Sequence, residues 1–262
     1  MIKIENVEVM GWEAAIRGMR NPLNSWEKSD SKLCNGRGAI CHTCPIDPVD
    51  GPCYYPNGEI YVVGPNDLNL MKRLCNAGTD HRKFMRMITV YMDITAPLYW
   101  WKEFDTYKVG TVANSCSTMH KIADKEFTLE DFSHEHLFDD LDVRIEVEGT
   151  DHRDTSPMEV LNITIDVLNH YREKYLATTK IEEYTGLPAK DIWWQMIQLL
   201  PSSYNQRRTV MLNYEVLANM YKSRKNHKLD EWKDLCLWIK ALPYFQLITG
   251  EFDVKEDGKN ES

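Results

Sequence analysis

Partly alternating apolar runs, apolar stripes at helical spacing, and the lack of a regular strand–helix–strand rhythm predict an α+β fold, with a central sheet flanked by long helices. The first ten residues (MIKIENVEVM) partly alternate and read as a strand, and GWEAAIRGMRN as a short helix. Residues 34–58 are rich in Gly, Pro and Cys and read as loop. EIYVVG is a second strand. Pro65 and Asn66 then open a helix that carries Leu68, Met71 and Leu74 and is capped by Gly78. Residues 84–95 (FMRMITVYMDIT) are β-branched and predict a strand, and Pro97 starts a helix holding Leu98, Tyr99, Trp100 and Trp101. Acidic residues far outnumber basic ones between Asp124 and Asp154, as on a solvated face, with DVRIEVEG a strand within it. Leu161, Ile165, Leu168, Tyr171 and Tyr175 form one helical stripe, and helices are predicted over 204–224 and 229–241. A single domain over residues 1–250, with a Cys-rich insertion at about 34–58 and a polar tail at 251–262, accommodates these elements.

The 262 residues are 43% hydrophobic and 27% charged, which excludes global disorder. No apolar run reaches the ~18 residues of a membrane span. The N-terminus lacks the basic start and apolar stretch of a signal peptide. Seven cysteines without a secretion signal point to a reduced cytoplasm. Against 40 acidic residues stand 31 basic ones, for a net charge of −9. That argues against a broad nucleic-acid surface and leaves room for a small basic nucleotide pocket.

Three segments carry a family resemblance. The first is HRKFMRM, His81 to Met87. The second is APLYWWKEFDTYKVGTVANSCS, Ala96 to Ser117. The third runs from Leu200 and Pro201 through Asn213 and Asn219 to Arg224. In this order and spacing they resemble the flavin-dependent thymidylate synthases, whose corresponding motifs are H-x-[ST]-x-x-E-H, A-P-x-x-x-x-R-Q-x-x-R-H-R-x-x-S-x-N-E-x-S-x-R, and an LP pair followed by N-x5-N-x4-R. Several positions depart from the pattern. Lys83 and Arg86 replace Ser/Thr and Glu, Lys102 and Glu103 replace Arg-Gln, and Thr106, Tyr107 and Lys108 replace the R-H-R core. Ser115 replaces a Glu and Met119 the final Arg. The resemblance implies a nucleotide site at Lys108, Thr111, Asn114, Ser115, Ser117 and Arg224. It implies cofactor contacts at His81, Tyr107, Asn213 and Asn219. It further implies FAD as cofactor, a dUMP-like nucleotide as ligand and a homotetramer that builds sites between subunits.

The residue types are compatible with those roles and with plainer ones. Arg224 lies eleven residues beyond Asn213, about three turns on one face if both are helical. Arg can grip phosphate or a uracil-like edge with two parallel bonds, and it can equally cap a helix C-terminus as a surface residue. The hydroxyl-rich stretch Thr111, Asn114, Ser115 and Ser117 can ligate phosphate or serve as turn and N-cap chemistry. Tyr107 and Lys108 can contact ring and phosphate or rebuild a core, and His81 can be a proton shuttle or a packed residue.

Cys34, Cys41, Cys44 and Cys53 are spaced C-x6-C-x2-C-x8-C. Four thiolates so close can close a tetrahedral zinc site, or simply be free thiols. His134 and His136, with Asp139, Asp140 and Asp142, can bind a divalent metal, but the setting reads as an acidic solvated loop. Three classes of function therefore stand open. The first is an FAD-dependent one-carbon transfer to the uracil C5 of a deoxyuridylate-type nucleotide. The second is a non-catalytic homologue that binds or sequesters a nucleotide-like ligand. The third is an interaction protein with a vestigial pocket.

Overall fold

The structure is a computed structural model and describes residues 2–34, 60–145, 153–180 and 186–252. In chain order the elements are β1 (Lys3–Met10), α1 (Trp12–Arg20), β2 (Lys32–Cys34), β3 (Ile60–Val62), α2 (Pro65–Asn76), β4 (Thr89–Pro97), α3 (Leu98–Phe104), β5 (Val112–Ser115), α4 (Thr118–Lys121), β6 (Val143–Ile145), β7 (Arg153–Thr155), α5 (Pro157–Lys180), α6 (Ala189–Leu199), β8 (Asn205–Asn213), α7 (Tyr214–Arg224), α8 (Asp230–Ile239) and α9 (Gln246–Thr249). The α+β class is as expected, with a four-stranded sheet in the order β1-β4-β8-β5. Among the described residues, no helix is long and apolar enough to cross a membrane. Apart from Cys34 and residues 251–252, the Cys-rich insertion and the polar tail lie outside the described residues, as do residues 146–149 of the strand expected at DVRIEVEG.

Two expectations are corrected. The helix expected over 204–224 is a strand followed by a helix: β8 ends at Asn213 and α7 starts at Tyr214. Val210 and Leu212 are buried on either side of the half-buried Met211, which is strand periodicity. The strand expected from residue 84 begins only at Thr89, because Lys83–Arg86 form a 3₁₀ turn that buries Phe84 and Met85.

The chain divides into two compact units. The first comprises Met1–Ile4, Asp93–Thr106 and Ala113–Thr209. Here the stripe of α5 does what its spacing predicts. Leu161, Ile165 and Leu168 are buried with Phe127, Phe132 and Met196, and Tyr171 and Tyr175 pack against them half-buried. Asn169 fixes the neighbouring chain by accepting from Phe127 N–H at 2.9 Å and donating to its carbonyl at 2.8 Å. Trp100, Trp101 and Phe104 of α3 are buried and meet ring against ring.

The second unit comprises Glu5–Met92, Tyr107–Val112 and Val210–Ser262. Trp12 of α1 lies edge-on to Tyr214 and Tyr244 at 5.3 and 5.2 Å, within a core that includes Met71, Met85, Leu217, Met220, Trp232 and Leu235. Asp67 of α2 is buried and accepts from Arg20 Nε at 2.6 Å, from the Ser29 hydroxyl at 2.7 Å and from the Ser31 hydroxyl and N–H. In return, Asp30 accepts from the N–H groups of Asn66 and Asp67, satisfying donors that the first turn of α2 leaves open.

Candidate functional site

The second unit holds the most constrained of the residues singled out from sequence. Arg224 is the last residue of α7, where a long side chain would ordinarily swing in solvent. It is instead half-buried. Its Nε–H donates to the Tyr107 hydroxyl at 3.0 Å, and its Nη1 lies 3.0 Å from His227 Nε2. The guanidinium carbon stands 4.7 Å from the ring centre of Trp232 and 5.7 Å from that of Tyr107. A cation over an aromatic face is attracted by the ring quadrupole. Trp232 is fully buried on α8, with Tyr107 edge-on to it at 5.9 Å.

The segment after Tyr107 runs along α7 towards its start. Gly110 has φ +80°, and a Cβ there would lie 2.8 Å from Asn213 Nδ2 and 3.2 Å from Val216 Cγ2. Only glycine adopts that conformation at this approach without strain. Next to it, the Thr111 hydroxyl oxygen is buried and has no hydrogen-bond partner among the described residues. Leaving such a group unsatisfied costs about 1–3 kcal/mol. Lys108 is exposed.

Of the other nucleotide and cofactor candidates, Asn213 and Ser117 cap helices and the rest are exposed. Asn213 is the N-cap of α7, its side chain accepting from Val216 N–H at 3.0 Å, so it does not share a helix face with Arg224 as expected. Asn219 points outward from α7, and His81 is exposed. Beside His81, Arg82 makes the contact instead: it forms a nearly buried ion pair with Glu215 of α7, with Nη2 donating to Oε1 and Nε 2.9 Å from Oε2. In the first unit, Asn114 and Ser115 are exposed on β5, and Ser117 caps α4 by accepting from His120 N–H at 3.1 Å. A cavity of about 680 Å³ in that unit, walled by Tyr175, Leu176, Trp193 and Met119, contains none of the residues expected to bind nucleotide, cofactor or metal.

Sequence reasoning missed His227 and Trp232. Both lie within the basic stretch and helix that follow Arg224, and Trp232 looks like any other core aromatic of α8. Among the described residues, no group of three His, Cys, Asp or Glu is placed to hold a metal ion. Of the proposed zinc ligands only Cys34 is described, at the end of β2, and Cys41, Cys44 and Cys53 lie outside the described residues.

The fold can be compared with solved structures. The thymidylate synthase X of Helicobacter pylori with FAD and dUMP is 14% identical, with a TM-score of 0.54 over 94% of this chain and 96% of the other. The UMP/dUMP methylase PolB of Streptomyces cacaoi, bound with 5-Br dUMP, is 14% identical, with a TM-score of 0.51 over 95% of each chain. This chain has the fold of the flavin-dependent thymidylate synthases. No family model matches the sequence, and no curated protein matches it significantly. Within this thymidylate synthase-like fold, the likeness extends across nearly the whole chain although few residues are shared, as expected where burial pattern and topology persist while side chains change.

Proposed function

We propose that the chain binds a uridine monophosphate-type nucleotide, dUMP or UMP, through a site in its second unit centred on Arg224. The observation that carries this is the thymidylate synthase-like fold over 94% of the chain, shared with a protein whose structure holds dUMP. The local chemistry supports it. A half-buried arginine fixed by aromatic neighbours is suited to an anion or a uracil edge. The Thr111 hydroxyl, unpartnered among the described residues, has a hydrogen bond to offer a ligand, and Lys108 adds a cation on the same segment. Sequence resemblance separately implies nucleotide contacts at Asn114, Ser115 and Ser117 of the first unit.

FAD is implied by the fold, but the donor set of this chain does not fit it well. At the positions of the R-H-R core, the Thr106 hydroxyl donates to the Glu103 carbonyl at 2.7 Å, and Tyr107 accepts from Arg224. Lys108 is then the one cation among these three residues, and an ammonium lacks the planar fork of the guanidinium groups it replaces. The reading favoured here is therefore a nucleotide-binding homologue. A methyltransferase that adds one carbon at uracil C5, with a flavin supplying the redox chemistry, is the alternative for the same fold. Resemblance also supports a homotetramer, and the spacing of Cys34, Cys41, Cys44 and Cys53 supports one zinc per chain, checked by light scattering and metal analysis.

Calorimetric titration of the purified protein with dUMP and UMP, with a visible absorbance spectrum of the same sample, tests the assignment. Saturable binding without flavin absorbance is the expected result. Stoichiometric flavin would favour the methyltransferase, and no binding of either nucleotide would overturn the nucleotide site.

A further inference from the structure

We propose that His227 and Trp232 are positioning residues that fix the plane of the Arg224 guanidinium, and so set how this chain presents it to a uridine nucleotide. The inference rests on the reading of Arg224 as a nucleotide contact. Arg224 ends its helix, and beyond it the chain turns sharply: His227 N–H donates to the Arg224 carbonyl at 2.9 Å. That turn brings the His227 ring back beside the Arg224 side chain, with Nε2 at 3.0 Å from Nη1. A neutral imidazole accepts at one nitrogen only, so with Nε2 accepting from Arg224 the ring proton sits on Nδ1, which lies 3.2 Å from Leu229 N. Trp232 supplies a wall 4.7 Å from the guanidinium carbon, and its ring is in turn locked by edge contacts with Tyr107 at 5.9 Å and His227 at 6.3 Å. Three groups thus constrain one side chain from three directions: Tyr107 at Nε, His227 at Nη1 and Trp232 over the face.

An arginine recognises a planar acceptor through its fork, so its orientation matters as much as its charge. An arginine left to rotate must give up its rotamer freedom on binding, and one already held does not. His227 works here by accepting a hydrogen bond from Arg224, a role that a glutamine amide oxygen can copy and a leucine cannot. Trp232 works by its face, which phenylalanine keeps in part and leucine loses. Because Trp232 is buried and its replacement by leucine can disturb the core, the half-buried His227 carries the decisive comparison.

The experiment is dUMP titration of wild type, Arg224→Ala, His227→Leu, His227→Gln and Trp232→Phe, each with its Tm. His227→Leu is expected to weaken dUMP binding about tenfold with Tm within a few degrees of wild type. His227→Gln is expected to return affinity to within about threefold, since it restores the acceptor. The tryptophan fluorescence change on adding dUMP should shrink in Trp232→Phe, because Trp232 reports on the group that takes the ligand. If Arg224→Ala weakens binding while His227→Leu and His227→Gln both match wild type, the positioning role is overturned and the nucleotide site survives. If dUMP does not bind wild type, or Arg224→Ala binds it equally, the site reading itself fails and this inference with it.

Discussion

Arg224 and Tyr107 stand 117 positions apart in sequence, and a 3.0 Å hydrogen bond from the guanidinium to the phenol joins them. The tyrosine stands where the resembled family places the histidine of its R-H-R core. The bond gives that position a contact that the resemblance alone would not suggest, with the Tyr107 hydroxyl accepting from the Arg224 guanidinium. Tyr107→Phe should keep the ring and lose the acceptor, lowering nucleotide affinity by a few-fold with little change in Tm.

Arg224 itself should dominate nucleotide affinity. A charge-assisted hydrogen bond in a partly desolvated site contributes about 1.5–3 kcal/mol. At 1.4 kcal/mol per decade, Arg224→Ala should weaken dUMP binding by roughly ten- to a hundredfold. Arg224→Lys should recover only part, since the ammonium retains the charge and loses the planar fork. Calorimetric titration checks both, and equal affinities across the three proteins would remove Arg224 from the site.

Gly110 offers a test through the backbone. A left-handed conformation costs a residue with a Cβ about 1–2 kcal/mol, and the added methyl would press on Asn213 and Val216. Gly110→Ala should therefore destabilise the fold and displace the segment that carries Tyr107, Lys108 and Thr111. A Tm lower by roughly 2–8 °C is expected for a chain of this size, together with weaker dUMP binding. Calorimetric scanning with and without nucleotide measures both effects, and an unchanged Tm would show that the segment relaxes around the new side chain.

Much of the fold was legible because burial imposes a period. The stripe Leu161, Ile165 and Leu168 announced α5, and Pro65 and Pro97 marked the starts of their helices. β8 was not legible as a strand, because residues 204–224 read as one continuous helix running into α7. Alternation at Val210 and Leu212 was the available signal, and the N-cap chemistry of Asn213 was another. The site was legible only in part. Motif spacing pointed to Arg224, but its neighbours Tyr107, His227 and Trp232 are brought together by tertiary packing that no local period encodes. His81 drew attention as a histidine, whereas the adjacent Arg82 is the residue that pairs with Glu215 of α7.

The thiols should differ sharply in reactivity. Burial pushes the Cys75 thiol up to about 12 and that of Cys236 up to about 11. The thiolate is the nucleophile, so both should resist alkylation near pH 8 while the protein is folded. Cys116 is exposed. Brief iodoacetamide treatment, followed by mass spectrometry of the peptides, should find Cys116 modified well before Cys75 or Cys236. Comparable labelling of Cys75 in the native protein would show that its surroundings open.

Asp67 should make the protein sensitive to acid. Burial by itself pushes this carboxyl up, but hydrogen bonds from Ser31, Ser29 and Arg20, together with the charge of Arg20, outweigh it and hold the folded carboxyl below its ordinary value. An unfolded aspartate titrates at about 3.9. A carboxylate held lower in the folded state contributes stability that is fully present above about 3.9 and disappears as pH falls through the lower folded value. Removing one partner of a buried ion pair strands the other, at a cost of about 3–5 kcal/mol. Asp67→Ala should therefore lower Tm at pH 7 on the order of 10 °C, by freeing Arg20 and the 29–31 segment from α2. Asp67→Asn keeps the shape and one acceptor but not the charge, and should fall between wild type and Asp67→Ala. Its Tm should depend less on pH than that of wild type below about pH 4, so the gap between the two closes in acid. Thermal unfolding of the three proteins from pH 7 to pH 3 measures the gap directly, and a difference that stays constant across that range would mean that the charge of Asp67 contributes nothing to the fold.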